Sequence, residues 1–125
     1  MEAKELRIGN YLHDRNGNLC KVIELRQDGI YAPAIGKATT GLPNKPIELT
    51  EEWFLKLGFE SNNVSYKINN DKFVFELYFY DAWNLNYVEK VKFGNDSVEL
   101  SGYWKIHELQ NLYFALTGEE LTIKS

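Results

Sequence analysis

One cysteine, three prolines, two histidines and no long apolar run stand in a chain of 125 residues, and each scarcity removes a class of protein. Cys20 has no second thiol to bridge to, and with no Cys-x-x-Cys pair and only His13 and His107 as imidazoles there is no zinc-type ligand cluster. Such thiol usage suits a reducing compartment. The charged start Met1-Glu2-Ala3-Lys4-Glu5 is followed by no apolar stretch of signal-peptide or membrane-span length, so a cytoplasmic location is expected. Basic blocks are missing as well. Fourteen Lys and Arg are interspersed with eighteen Asp and Glu for a net charge of -4, which argues against an electrostatic grip on a phosphate backbone.

Aromatic residues are plentiful instead. Eight Tyr, seven Phe and three Trp favour strands, where flat side chains suit a pleated, half-buried surface. Hydrophobic residues at 44% and charged residues at 26% are globular values, and the length suits one domain, 1–125, with any sub-boundary falling at 33–47.

Short strands and tight turns open the chain. Asn16-Gly17 is the sharpest local signal: both residues tolerate the positive φ of a type I′ turn, so segments near Tyr11–His13 and Leu19–Glu24 are expected to pair as a hairpin. Asp28-Gly29 offers a second turn into Ile30-Tyr31-Ala32. Leu19, Ile23 and Leu25 alternate with Cys20 and Val22, which suggests a small curled sheet partly covered on both faces. From Pro33 to Pro46 neither period is visible, and a long loop is expected. A short helix follows over Leu49–Gly58, with Thr50 as its cap, Glu51 and Glu52 at the positive end of its dipole, Leu49 stapled onto Phe54, and Gly58 as its stop.

Apolar residues then recur with period two from Val64 to Leu100, through Tyr66, Phe75, Leu77, Phe79, Leu85, Tyr87 and Phe93, which predicts an antiparallel meander. Its turns are expected at Asn69-Asn70-Asp71, Asp81-Ala82-Trp83-Asn84 and Gly94-Asn95-Asp96. Ile106, Leu109, Leu112, Tyr113 and Leu116 form a helical stripe within 105–117, with Gly118 beyond it. Leu121-Thr122-Ile123 either adds an edge strand or packs beneath that helix. The fold class is α+β: an N-terminal small SH3-like curled β-sheet, a short helix, and an antiparallel β-meander covered by a C-terminal helix.

No motif carries catalysis, a cofactor or a metal. Gly36-Lys37-Ala38-Thr39 fails as a phosphate loop, because Tyr31 stands where the earlier glycine belongs and Ala38 where the hydroxyl belongs. Cys20 in a strand reads as a small buried hydrophobe, and His107, off the apolar stripe, as an imidazole bonded to neighbouring backbone or a carboxylate. Tyr78, Tyr80, Trp83 and Trp104 are the candidate protein-contact residues, since Tyr and Trp dominate binding hot spots when exposed together.

Three stretches carry a resemblance: Leu6–Tyr11 running into Asn16-Gly17 and Lys21-Val22-Ile23, Leu49–Phe59, and Ile106–Leu121. Together they resemble short uncharacterised proteins of Bacteroides-type bacteria and of their phages and mobile elements. The resemblance implies a cytoplasmic accessory protein and brings no activity with it. A non-enzymatic module engaging a protein partner is the expected function. Nucleic-acid binding by the N-terminal sheet, with Arg7, Arg15, Lys21 and Arg26 beside Tyr11 and Tyr31, is the alternative, and an enzyme with a loop-built site is a third.

Overall fold

Alternation and punctuation in the sequence become, in a computed structural model that describes residues 6–26, 29–35, 45–91 and 94–124, a mixed arrangement of antiparallel sheets and two helices. Two short hairpins come first. β1 (Tyr11–His13) pairs with β2 (Leu19–Lys21), and β3 (Glu24–Arg26) with β4 (Gly29–Tyr31). The first hairpin forms where expected, but its turn is not type I′. Gly17 alone takes a positive φ, 83°, and its N–H donates to Asp14 O at 3.0 Å, so a type I turn followed by a left-handed glycine closes a three-residue loop. Buried Asp14 holds that loop by accepting the Asn16 and Asn18 N–H groups, each at 2.9 Å. Residues 27–28 between β3 and β4, which include the expected turn residue Asp28, lie outside the described residues, as do 36–44 of the expected loop. The described ends of that loop are tied to the first hairpin, Ile35 N–H donating to Leu19 O at 2.8 Å and Lys45 exchanging backbone hydrogen bonds with His13.

α1 (Glu51–Lys56) has both of its expected ends. Thr50 Oγ1 accepts the Trp53 N–H at 3.3 Å. Gly58 at φ 92° allows the closing pair of bonds, Gly58 N–H to Leu55 O at 3.1 Å and Phe59 N–H to Phe54 O at 2.9 Å.

The meander is a five-stranded antiparallel sheet in sequential order: β5 (Glu60–Ser61), β6 (Tyr66–Asn69), β7 (Phe73–Tyr80), β8 (Ala82–Val91) and β9 (Gly94–Gly102). Asn70 makes the first turn as expected, its Oδ1 accepting from Lys72 and Phe73 N–H. The second turn is tighter than expected. Asp81 alone crosses over, at φ 63°, so Ala82, Trp83 and Asn84 already belong to β8. The third expected turn is displaced: Gly94, Asn95 and Asp96 pair with Val91, Lys90 and Glu89 within the ladder, and residues 92–93, with Phe93 of the expected apolar face, lie outside the described residues.

α2 (Ile106–Thr117) runs nearly as predicted and covers the meander. Its Tyr113 ring meets Phe75 and Phe73 edge-on at 5.0 and 5.7 Å, and Leu112 and Leu116 flank the same core. Glu108 Oε1 accepts the Lys105 N–H at 2.9 Å at its start, and Gly118, φ 76°, closes its end. The buried arc differs from the predicted stripe, however, because Gln110 and His107 are buried too. The reason is a second layer. Gln110 Nε2 donates to Gly9 O and Leu121 O, both at 3.0 Å, while its Oε1 accepts the Tyr11 N–H, so α2 is covered by the N-terminal strands on its other side. Those strands enclose a small core of their own containing Leu12, Cys20 and Val22, and Ile23 and Leu25 remain exposed. After Gly118 the chain packs beneath as irregular backbone: Leu121 is buried, Ile123 N–H donates to Tyr11 Oη, and Lys124 N–H donates to Lys56 O.

Candidate protein-contact surface

The β7–β8 hairpin end is built from an alternating run of aromatics and one residue able to turn. With Asp81 at the crossing, Tyr80 faces Ala82, Phe79 faces Trp83 and Tyr78 faces Asn84. Successive side chains of a strand point to opposite faces. Phe79 and Trp83 therefore share the face that carries Leu77 and Leu85, whereas Tyr78 and Tyr80 share the outer one. Asn84 Nδ2 donates to Ala82 O at 3.0 Å and to Tyr80 O at 3.3 Å, and Tyr103 Oη donates to Asp81 O at 2.5 Å. The segment after β9 thereby clamps the hairpin end.

That geometry divides the four residues selected from sequence. Tyr78 and Tyr80 are exposed, at 44% and 76%. Trp83 is half-buried among Phe54, Phe79 and Tyr66, with ring centroids at 5.3, 5.4 and 6.4 Å. Trp104 packs against the main core, its indole lying over Gly102 so closely that a Cβ there would stand 2.7 Å from Nε1. Two residues not selected complete the exposed group: Phe79 at 59% and Tyr103 at 74%. Period two correctly placed Phe79 on the apolar face, but the face extends past its helical cover. A Tyr directly after a strand-ending glycine was the available signal for Tyr103.

Beside this end the outer face carries two polar rows across three strands. Glu76, Asn86 and Glu99 are in register, and Tyr78, Asn84 and Ser101 form the next row. They line a shallow cleft of about 160 Å³. Ser101 Oγ donates to Asn84 Oδ1 at 2.8 Å, and Ser65 Oγ donates to Glu76 Oε2 at 2.7 Å. On the opposite face of β9, Val98 and Leu100 are exposed.

Elsewhere, His13 borders a cleft with Trp53, Thr50 and Glu48, and its pKa is lowered, first by burial and then by the charge of Lys56. Cys20 is fully buried, its Sγ 3.5 Å from Asn18 O. Of the residues considered for nucleic acid, Tyr11 is buried against Trp53, Arg7 pairs with Glu120 and lies over the Phe114 ring, and Arg15 and Tyr31 are exposed. Among the described residues no three His, Cys, Asp or Glu side chains converge as metal ligands, and no helix is long and apolar enough to cross a membrane. No family model, curated protein or solved structure matches the chain.

Proposed function

We propose that the chain is a small non-enzymatic protein-interaction module, a cytoplasmic accessory protein of the phage or mobile-element type that its sequence resemblance implies. One observation supports this reading above the rest: Tyr78, Phe79, Tyr80 and Tyr103 are exposed around one hairpin end, and the Tyr103–Asp81 hydrogen bond fixes it. Exposed rings on a rigid turn bring large contact area with little ordering cost on binding. Isolated exposed apolar residues are ordinary, but several rings at one place are the composition of a binding hot spot. The N-terminal strands, read as an SH3-like unit, serve in this picture as the support that anchors α2 rather than as the contact itself.

A photo-crosslinking side chain at position 80, with the purified chain in an extract of its own host, tests the reading. A discrete crosslinked protein is expected, and it should disappear when Phe79 and Tyr103 are both changed to Ala while the fold is retained. Crosslinking that is diffuse, or unchanged in that double variant, refutes the assignment.

A further inference from the structure

β9 stands last in the sheet order, so among the described residues no strand lies beside its outer row of backbone N–H and C=O groups. Natural edges of such length are guarded against unwanted pairing by charged side chains, above all Lys, by Pro, by a bulge or by shortness. Of these the β9 sequence has only two acids, Asp96 and Glu99, and negative charge repels an acidic partner strand and leaves a basic one welcome. It is nine residues long, its sequence Gly-Asn-Asp-Ser-Val-Glu-Leu-Ser-Gly contains neither Lys nor Pro, and its register with β8 runs from Val91↔Gly94 to Trp83↔Gly102 without a skipped residue. A regular edge offers main-chain hydrogen bonds to any extended segment that matches its side chains.

Those side chains specify the match. Val98 and Leu100 are exposed on the face shared with Leu85 and Tyr87, beyond the core that α2 covers. Glu99 is exposed on the outer face, with Glu76 in the same cross-strand row two strands away. We propose that β9 accepts an extended segment of a protein partner as a sixth strand, one in which apolar residues alternate with Lys or Arg. Apolar side chains of that segment extend the Val98–Leu100 surface, and a basic one stands opposite Glu99, where cross-strand pairs of opposite charge are favourable. Charge selects this occupant over a second copy of the chain. Each copy carries a net charge of -4, and pairing two β9 edges would bring two acidic strands together without a cation on either. The inference rests on reading the chain as a protein-interaction module, and it places a contact on β9 rather than on the aromatic hairpin end.

The probe is a short synthetic peptide of alternating Val and Lys, compared with a scrambled peptide of the same composition and with a Val and Glu version. Binding is followed on the full chain by fluorescence titration and by backbone amide exchange of residues 94–102. The Val and Lys peptide is expected to bind and to slow exchange in β9, the other two to bind more weakly. Glu99→Gln should reduce the preference for Lys over Glu peptides by roughly threefold, and Glu99→Lys should reverse it. The Phe79→Ala, Tyr103→Ala double variant should bind the peptide unchanged, so failure at β9 and failure of the aromatic surface are separate results. Absence of binding, equal binding of all three peptides, or binding without protection of β9 overturns the proposal. Protection of β9 that rises with protein concentration alone overturns it in favour of a second copy.

Discussion

Gln110 Oε1 accepts the backbone N–H of Tyr11 at 2.8 Å across 99 residues of sequence. The same side chain donates to Gly9 O and Leu121 O, so one buried amide joins the first strand, the last helix and the tail. Gln110→Leu keeps the volume and removes every one of these bonds. An unsatisfied buried polar group costs about 1–3 kcal/mol, and two are left here, the Tyr11 N–H and Leu121 O, with Gly9 O partly open to water, so a loss of roughly 2 kcal/mol or more is expected in urea denaturation. A loss below about 1 kcal/mol would mean that the N-terminal strands are not held by this amide.

The cap of α1 gives a smaller and cleaner effect. Thr50→Ala removes the acceptor for the Trp53 N–H and should lower stability by about 1 kcal/mol. Thr50→Ser retains the hydroxyl and should restore most of it.

Caps and alternation were the legible part of this fold. Thr50, Gly58 and Gly118 announce their positions because their preferences are local: a hydroxyl for an orphan N–H, or a glycine for a positive φ. Two meander turns were misplaced for the opposite reason. Gly94-Asn95-Asp96 has turn composition, but pairing with Val91, Lys90 and Glu89 holds it in the ladder. Asp81 alone makes the other crossing, which moves Trp83 from an expected turn into a strand and onto the core side. The candidate contact surface was half legible. Exposure of Tyr78 and Tyr80 follows from the alternation, whereas the partial burial of Trp104 depends on its packing against the core and over Gly102. His107 and Gln110 were hidden by their polarity, since nothing within a helix tells of a second layer lying across it.

His13 should make stability depend on pH. Burial foremost, then the charges of Lys56 and Lys45, hold its pKa below the ordinary 6.5, with Asp14 opposing them. Below 6.5 the unfolded chain therefore binds more protons than the folded one, and stability falls as pH drops through the folded pKa. His13→Gln should lose less stability than the parent between about pH 7 and about pH 5. An NMR titration should place the His13 midpoint below 6.5.

Tyr113 titrates at the other extreme. Burial above all, with Glu119 and Tyr87 adding to it, pushes its phenol up to about 12. Its contribution to stability is complete below the ordinary value of 10 and is lost as pH rises through the folded value. Phenolate absorbance should show a late ionising step, and the part of it that belongs to Tyr113 should vanish in Tyr113→Phe.

Neighbours on the β7–β8 hairpin should separate by energy. Tyr80→Ala should change stability by no more than about 0.5 kcal/mol, since the ring is largely in solvent. Trp83→Ala removes a ring packed on Phe54, Tyr66 and Phe79 and should cost about 3 kcal/mol. Equal costs in thermal melts would contradict the division of the aromatics between surface and core.

The tie between Tyr11 and Gln110 also sets an order of events in the cell. A ribosome adding residues at about 5–20 per second releases the first strand some 5–20 s before the helix that must meet it. Until residue 110 has been made, the nascent hairpin has a docking face and nothing to dock with, so the two segments cannot close on each other before then.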